Sequence, residues 1–275
     1  HGSRLDWRPV GCRELAAWLF CNTGAWCVDG LCRKSAFLTS IFEEVTLTGS
    51  TNADLLARAV QGAPEGLWLR ADAQDGGRGR LGRIWESPSG NLFASTIVRL
   101  RDTDPSPASL AFVTAVAVFD AVRQMAPQVP ICVKWPNDIL TPDGAKLCGV
   151  LLERASDAVV VGIGLNLVWH PQNLERKVTD LLTLGAMPPD AQTAVEIVAE
   201  VFARYLAIWR QSGVEVIVRH WEARAHPRGT ALSAKLPDGE HLDGLYAGLN
   251  EDGALQLRLA DGSIRAIHAA DVFLI

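Results

Sequence analysis

The hydrophobic pattern of the chain changes its period once, at His226-Pro227-Arg228-Gly229. After this segment, apolar and polar residues alternate in short runs that PDG, NEDG and ADG turns connect, which is typical of antiparallel strands. Before it, amphipathic helical runs and strand-like runs are interspersed. Roughly fifty residues follow the change, so the pattern predicts a small barrel of SH3-like size after a larger α+β domain.

The earlier part of the chain shows six strand-like runs, at residues 41–47, 66–71, 91–100, 131–134, 146–153 and 158–167. We expect the last three to be buried on both faces, with Asp143-Gly144 as the hairpin turn between residues 131–134 and 146–153. Helical periodicity predicts four helices, at residues 53–60, 107–125, 191–211 and 214–225. The predicted N-cap of the first helix is one of Ser50, Thr51 and Asn52. Ser106 is the predicted N-cap of the second helix and Asp190 that of the third.

Composition excludes several classes of protein. A chain of 275 residues with 48% hydrophobic and 21% charged residues is expected to fold into a globular protein. A net charge of −5 argues against a broad nucleic-acid-binding face. The longest apolar stretch, residues 108–122, is too short to span a bilayer and contains Asp120, so we predict a buried helix and no membrane contact. The chain begins without a secretory leader, and we expect a cytoplasmic protein.

Residues 1–40 form an extension of unknown role, in which only residues 14–20 show a short helical pattern. Four of the six cysteines crowd this segment: Cys12, Cys21, Cys27 and Cys32. They lack the paired C-x-x-C spacing of a structural zinc site, so we do not predict a metal there. Cys132 and Cys148 lie in apolar runs and are expected to be core residues.

The heptapeptide GRGRLGR, residues 77–83, has the G-x-G-x-x-G spacing of a dinucleotide-binding loop. A strand rather than a helix follows it, so the dinucleotide interpretation fails. Its glycines permit close backbone approach to a ligand, and the guanidinium groups of Arg78, Arg80 and Arg83 match carboxylate or phosphate oxygens. A solvated, arginine-rich surface loop remains the alternative.

Two further segments carry chemistry. In VKWPND, Lys134 ends an apolar strand, where it would place a positive charge beside a developing oxyanion. Asn137 and Asp138 would order a metal or a ribose there, whereas a strand-end lysine in water is the alternative. KLCGVLLE and GIGLN place glycines inside strands, a pattern that suits close packing of a small, partly apolar ligand.

The motifs STN (residues 50–52), GRGRLGR (77–83), KWPND (134–138), KLCGVLLE (146–153) and GIGLN (162–166) occur in one order. In this the chain resembles the biotin protein ligases, over roughly residues 41–275. The resemblance implies a class II aminoacyl-tRNA-synthetase-like catalytic domain at residues 41–226, with a mixed β-sheet and flanking helices. It also implies an SH3-like β-barrel at residues 227–275.

The resemblance further implies an enzyme that uses ATP and Mg²⁺ to convert biotin to biotinyl-5′-AMP. The biotinyl group then passes to a lysine of a biotin carboxyl carrier domain of a carboxylase. The catalytic residues implied are Lys134 and Arg80, with no metal fixed by the protein itself. Implied biotin contacts are Ser50, Thr51, Asn52, Gln74, Arg78, Gly79, Arg80, Lys134, Gly149 and Gly164. Implied ATP or adenylate contacts are Arg78, Arg80, Arg83, Trp85, Asn137, Lys146 and Asn166.

Two other functions compete with this one. A lipoate or octanoate ligase shares the implied fold, but it would favour an apolar tunnel over the polar STN segment. A nucleic-acid-binding module would need an extended basic face, and residues 238–261 are acidic instead. Residues 1–40 are too few and too irregular for the winged helix that some family members carry, so we predict no DNA binding. The carrier protein and the choice between monomer and homodimer stay open.

Overall fold

The computed structural model describes residues 40–275, apart from residues 173 and 175, together with three short N-terminal strands. The chain divides into two units, His1–Phe37 and Leu38–Ile275. In the first unit, an antiparallel sheet contains β1 (Phe20–Cys21), β2 (Ala25–Val28) and β3 (Leu31–Arg33) in that order. The helix predicted at residues 14–20 lies outside the described residues except at Phe20, where the prediction is wrong because Phe20 belongs to β1.

A seven-stranded mixed sheet forms the centre of the second unit. Its strands are β4 (Ile41–Thr48), β5 (Leu67–Gln74), β6 (Leu92–Arg99), β7 (Cys132–Lys134), β8 (Asp138–Leu140), β9 (Lys146–Ala155) and β10 (Ala158–Leu165). They lie in the order β4-β5-β6-β10-β9-β8-β7. The β4–β5 pair is parallel and every other pair is antiparallel. The mixed sheet that the sequence predicts is therefore confirmed.

Three α-helices flank this sheet in the described part of the chain: α1 (Thr51–Val60), α2 (Leu110–Met125) and α3 (Ala191–Glu222). Ser50 is the N-cap of α1, because its backbone is extended and its hydroxyl accepts a hydrogen bond from the Ala53 amide. Asp190 caps α3 through the Thr193 amide at 2.8 Å. Gly213 has a non-helical backbone, with a φ of 80°, so α3 kinks there between the two helices that the sequence predicts.

Helix α2 is the most buried helix of the fold. Its faces pack between the sheet and α3, and ten of its residues are buried, from Leu110 to Val122. The helical segment 107–125 is longer than the apolar stretch 108–122 on which the length argument was based, and it has the length and the mean hydropathy, 1.3, that a membrane span requires. Packing inside the core accounts for that apolar composition without a membrane. A 3₁₀ turn, Pro107–Ser109, begins the segment, and Ser106 contributes its carbonyl rather than its side chain to that turn.

The two faces of the sheet have different partners. Helices α2 and α3 cover one face, where Trp209 and Trp221 are buried core residues. Helix α1 covers part of the opposite face, with Leu55 and Ala59 packed on apolar side chains of β5, β6 and β10. Because α1 is short, it leaves the other half of that face, at β9 and β10, open to a cavity.

The segment between Lys134 and Lys146 differs from the prediction. Strand β8 lies between β7 and β9, so the Asp143-Gly144 turn joins β8 to β9 rather than the two predicted strands. A three-residue strand that follows Pro136 and Asn137 is too short for an alternating pattern to show. Strand β10 is buried almost throughout, whereas several residues of β9 are half exposed, so the expectation of full burial is wrong for β9.

The C-terminal module is a five-stranded antiparallel sheet. Its strands are β11 (Ala231–Lys235), β12 (His241–Leu249), β13 (Leu255–Arg258), β14 (Ile264–Ile267) and β15 (Asp271–Leu274), in the order β14-β13-β12-β11-β15. Four of these strands match the period-two pattern. The fifth, β15, was not predicted, because no turn follows it to mark its end. Pairing with β11 carries β15 to the mouth of the cavity.

Gly253 lies at the contact between this module and the preceding part of the second unit. Its carbonyl accepts a hydrogen bond from Trp135 Nε1 at 3.0 Å. Its φ is 83°, and a Cβ at this position would lie 2.2 Å from Phe112 Cε2. Any side chain at this position would therefore strain the backbone and collide with a buried ring.

We expect Gly253→Ala to lower the free energy of unfolding by about 2–3 kcal/mol, from left-handed strain and overpacking together. Gly239→Ala is the matched control, because Gly239 has a φ of 90° and open space around its Cβ position. It should lose only the backbone part, about 1 kcal/mol. Urea denaturation of both variants measures the difference, and equal losses would contradict the proposed collision with Phe112.

Candidate active site

A cavity of about 390 Å³ lies on the open half of the sheet, beside α1 and beneath the C-terminal strand β15. Its walls contain every site residue that the sequence predicted except Asn166. They are Ser50, Thr51, Asn52, Gln74, Arg78, Gly79, Arg80, Arg83, Trp85, Lys134, Asn137, Lys146, Gly149 and Gly164. Segments that are far apart in the sequence therefore meet around one space of ligand size.

One wall of the cavity consists of uncharged polar side chains around the N-terminus of α1. The Thr51 amide donates to Gln74 Oε1 at 2.8 Å, and Thr51 Oγ1 lies 2.7 Å from Ser95 Oγ. Ser95 Oγ in turn donates to Asn52 Oδ1 at 2.6 Å. This wall offers both donors and acceptors without net charge, which suits a neutral ligand group with several hydrogen-bonding atoms.

Ser95 lines the cavity but was not predicted from the sequence as a site residue. It lies in β6 two residues after Phe93, which also lines the cavity, so both side chains point to the same face of the sheet. A polar residue on the buried face of an apolar strand was the available signal. This signal identifies a site residue only once it is known that this face of the sheet borders the cavity.

The GRGRLGR loop is a hairpin-like excursion after β5. A bridge pairs Arg78 with Ile84, and the Gly79 amide donates to the Arg83 carbonyl at 2.7 Å. A single 3₁₀ turn, Arg80–Gly82, follows, so no helix begins here and the dinucleotide interpretation fails as expected. Gly77 has no room for a side chain, since a Cβ would lie 2.3 Å from the Trp85 carbonyl oxygen.

Trp85 fills the space above two strand glycines. A Cβ on Gly164 would lie 2.6 Å from its ring, and a Cβ on Gly149 would lie 3.1 Å from it. The indole Nε1 is buried and has no hydrogen-bond partner, while Lys146 Nζ lies 5.3 Å from a ring centroid. The glycine gaps therefore receive this indole, which packs on the sheet as one wall of the cavity.

Three charged side chains meet on the opposite wall. Asp138 lies between two lysines, with Lys146 Nζ 2.5 Å from Oδ1 and Lys134 Nζ 3.3 Å from Oδ2. Burial alone would raise the pKa of Asp138, but the two ammonium groups outweigh it and lower this pKa to about 2. Burial lowers the pKa of Lys134, an effect that Asp138 opposes. The Asp138 carboxylate therefore compensates the charge of two ammonium groups that lie close together and are largely shielded from solvent.

Strand β15 also contributes to the charged wall. Lys134 Nζ donates to the Val272 carbonyl at 2.7 Å, Arg80 Nη2 donates to the Ala270 carbonyl at 3.4 Å, and Arg83 forms an ion pair with Asp271. The C-terminal module thus holds the cationic side chains of two distant motifs. These contacts could not be predicted from the sequence, because more than a hundred residues separate β15 from its partners.

Both asparagines that were predicted as nucleotide contacts, Asn137 and Asn166, have partners within the protein. Asn137 Nδ2 donates to the Val150 carbonyl between β8 and β9, although Asn137 also lines the cavity. Asn166 Nδ2 donates to the Thr179 carbonyl at 2.9 Å, and Asn166 does not line the cavity. Arg176 and Lys177, which the sequence did not single out, do line it and add positive charge at its outer end. A nucleotide role for Asn166 stays a prediction.

The described residues contain no group of three His, Cys, Asp or Glu side chains close enough together to hold a metal ion. Asp138, the acidic residue of KWPND, is engaged by two lysines and has no second carboxylate beside it. The cavity therefore combines a neutral polar wall, the Trp85 indole and a set of lysines and arginines. Such a site suits a ligand that has a neutral polar end and an anionic end.

Family models match two parts of the chain. Residues 46–167 match the biotin/lipoate A/B protein ligase family, and residues 233–275 match the biotin protein ligase C terminal domain. The fold is that of the biotin protein ligase from Aquifex aeolicus in complex with biotin and ATP, with a TM-score of 0.77 and 24% identity. That likeness covers 86% of this chain and 100% of the other. Fold and site together define an enzyme of the biotin/lipoate ligase class.

Two curated relatives narrow this class. The biotin--[acetyl-CoA-carboxylase] ligase of Mycobacterium tuberculosis is 35% identical over 83% of this chain and 86% of the relative. The enzyme of the same name from Paracoccus denitrificans is 35% identical over 82% of this chain and 97% of the relative. The chain belongs to the biotin protein ligases. The family resemblance, the fold class and the ligase assignment that the sequence predicted are confirmed.

Proposed function

We propose that this protein activates biotin with ATP as biotinyl-5′-AMP and transfers the biotinyl group to a lysine of a carboxylase's biotin carrier domain. The observation that carries this proposal is the division of one cavity into a neutral polar wall and a cationic wall. Biotin has a neutral ureido ring at one end and a carboxylate at the other. Its two ends therefore match the two walls.

The ureido ring needs acceptors for its N–H groups and donors for its carbonyl oxygen. Thr51, Asn52 and Ser95 are already joined by hydrogen bonds, so little rearrangement is needed to receive it. Gln74 is fixed by the Thr51 amide and by Ser87, and Ser50 lies at the edge of the same wall. Preformed polar contacts of this kind orient the substrate before any chemistry occurs.

Activation joins two anions. The biotin carboxylate attacks the α-phosphorus of ATP, a P–O bond forms, and pyrophosphate leaves with the electron pair of the broken P–O bond. Negative charge accumulates on the phosphoryl oxygens in the transition state, where fixed cations stabilise it most. Lys134 and Arg80 are the groups we assign to this task, with Arg78 and Lys146 beside them in the cavity wall. Their positions are set before the reaction by Asp138, by the Val272 carbonyl of β15 and by the carbonyl of Ala270, just before β15.

Transfer then breaks the mixed anhydride. The neutral amine of the carrier lysine attacks the acyl carbon, an amide forms, AMP leaves, and the amine gives up a proton. The same cations that stabilise the first transition state stabilise the departing phosphate. Trp85 and the GRGRLGR loop would shield the anhydride from water, because hydrolysis competes with transfer. Mg²⁺ would accompany the phosphates of ATP and reduce their charge on binding.

The remaining expectations about partners and location belong to this proposal. We expect a carrier domain as the protein substrate, no DNA or membrane partner, and a cytoplasmic enzyme that is either a monomer or a homodimer. The acidic net charge of −5 supports the absence of a DNA partner.

Incorporation of labelled biotin into an isolated biotin carrier domain tests the proposal. We expect labelling that requires ATP and Mg²⁺ and that excess octanoate or lipoate does not reduce. Labelled octanoate or lipoate, offered separately, should give none. Transfer of lipoate in place of biotin would move the protein to the neighbouring acyl-ligase function, and absence of any acyl transfer would contradict ligase activity.

A further inference from the structure

Glu153 is the last residue of the KLCGVLLE motif, and the functions described so far leave it without a role. It lies in β9 on the same face as Gly149 and Leu151, four residues beyond the cavity glycine. Glu153 is half buried and does not line the cavity. Its Oε2 accepts a hydrogen bond from Asn52 Nδ2 at 2.8 Å. Glu153 thus contacts the polar wall from outside.

The carboxylate fixes which way the Asn52 amide faces. An ionised carboxylate only accepts hydrogen bonds, so the –NH₂ group of Asn52 must point to Glu153. The Leu151 carbonyl, another acceptor, lies 3.5 Å from the same nitrogen. Gly162 leaves the room that this arrangement needs, because a Cβ there would lie 2.3 Å from Asn52 Oδ1. Asn52 Oδ1 consequently faces Ser95 as an acceptor.

This orientation sets the direction of the next two hydrogen bonds. Since Asn52 Oδ1 can only accept, the Ser95 hydroxyl must donate its one proton to it, at 2.6 Å. Ser95 Oγ can then only accept from Thr51 Oγ1, which is 2.7 Å away. Gln74 Oε1 is a second acceptor, 3.2 Å from Thr51 Oγ1, but it already accepts from the Thr51 amide, so the Thr51 hydroxyl proton goes to the nearer Ser95 Oγ. Toward the cavity, Thr51 Oγ1 presents lone pairs and no proton.

We infer that Glu153 is a positioning residue that makes Thr51 Oγ1 an acceptor for a substrate N–H group, and so selects a ureido ligand. Glu153 acts through Asn52 and Ser95 and does not itself touch the substrate. This inference rests on the proposed function, because biotin supplies the N–H groups in question. If the direction of the chain were reversed, Thr51 would present a proton to the same N–H and repel it.

Three proteins test this: the wild type, Glu153→Gln and Glu153→Leu. The glutamine variant retains a carbonyl acceptor for Asn52 Nδ2, whereas the leucine variant has nearly the same bulk and no acceptor. We expect Glu153→Leu to raise the KM for biotin in adenylate formation about tenfold. A tenfold change corresponds to the net free energy of about one hydrogen bond. The KM for ATP should stay unchanged, and Glu153→Gln should remain within about threefold of the wild type for both substrates.

A second readout uses biotin analogues in which either ureido N–H is replaced by oxygen, so that an acceptor stands in place of a donor. The wild type and Glu153→Gln should discriminate strongly against at least one of these analogues. Glu153→Leu should lose most of that discrimination, because its Thr51 hydroxyl is free to turn. A purely structural role would lower the melting temperature and affect biotin and ATP alike, and this pattern would overturn the inference.

Calorimetric titration of biotin into each protein separates this inference from the proposed function. If the wild type binds biotin and Glu153→Leu matches it in affinity and in discrimination, the inference about Glu153 is wrong while the proposed function stands. If the wild type neither binds biotin nor forms its adenylate, both are wrong. Weaker biotin binding and lost discrimination in Glu153→Leu alone would support both.

Discussion

Lys134→Ala should slow formation of the biotin adenylate by about 10²–10³-fold, which is the usual cost of removing one preorganised group that stabilises an oxyanion. The lysine is partly buried and is held by Asp138 and by the Val272 carbonyl, so its charge needs little reorganisation during the reaction. Because the charge that it stabilises develops in the transition state, the loss should appear in kcat more than in the affinity for biotin.

Single-turnover formation of the adenylate from ATP and biotin measures this effect. Lys235→Ala is the matched control, since Lys235 is exposed in β11 of the C-terminal module and should leave the rate unchanged. Circular dichroism should show an intact fold in both variants. A Lys134→Ala rate within about threefold of the wild type would refute the assignment of this lysine to charge stabilisation.

Asp138→Asn should be the most destabilising substitution that we predict. It leaves the Lys134 and Lys146 ammonium groups together in a buried place without their anion. Loss of one partner from a buried charged cluster typically costs about 3–5 kcal/mol. Urea denaturation at neutral pH should show a loss of this size, whereas Asp238→Asn, in an exposed turn of the C-terminal module, should change the unfolding free energy by less than about 0.5 kcal/mol.

The pH dependence of this loss has a defined sign. The pKa of Asp138 is lowered to about 2 from an ordinary value of 3.8. Its contribution to stability is therefore complete above about pH 4 and declines as the pH falls toward 2. The gap between the wild type and Asp138→Asn should narrow over this interval as the wild-type carboxylate takes up its proton. A gap that stayed constant down to pH 2 would show that its charge is not what stabilises the fold.

The sequence was most informative where a local segment carries both its conformation and its chemistry. Ser50, one of the three candidate caps, caps α1, Gly149 and Gly164 lie inside strands β9 and β10, and Lys134 ends β7, as predicted. Each of these short motifs determines its own local backbone conformation. Nearly all predicted site residues do line one cavity, but the sequence alone does not show that these motifs meet there.

The contacts that were not predicted depend on long-range packing. Strand β15 reaches Lys134 and Arg80 only because β11 and β15 pair in the C-terminal module. Trp85 fills the space above Gly164, a fact that depends on how the loop folds back over the sheet. Asn166 belongs to the GIGLN motif, but its side chain donates a hydrogen bond to the Thr179 carbonyl, and it does not line the cavity. The order of residue types along the chain does not show which of these distant segments come into contact.

The two lysines of the charged wall illustrate the same limit. Each stands at a strand end and, from sequence alone, is equally consistent with a solvated surface lysine. Asp138 was noted only as a possible metal or ribose ligand, whereas the structure places it between Lys134 and Lys146. Strand β8, which is three residues long, creates this arrangement by returning Asp138 next to β9. Its brevity explains why the charged cluster was not predicted.

Exchange of labelled pyrophosphate into ATP, measured with biotin, lipoate or octanoate as the acid, is the decisive test of biotin activation by this protein. It reports activation at this cavity and needs no carrier protein. We expect rapid exchange with biotin, little with lipoate or octanoate, and loss of the biotin-dependent exchange in Lys134→Ala. Exchange that occurs with lipoate but not with biotin, or exchange with biotin that survives Lys134→Ala undiminished, would contradict it.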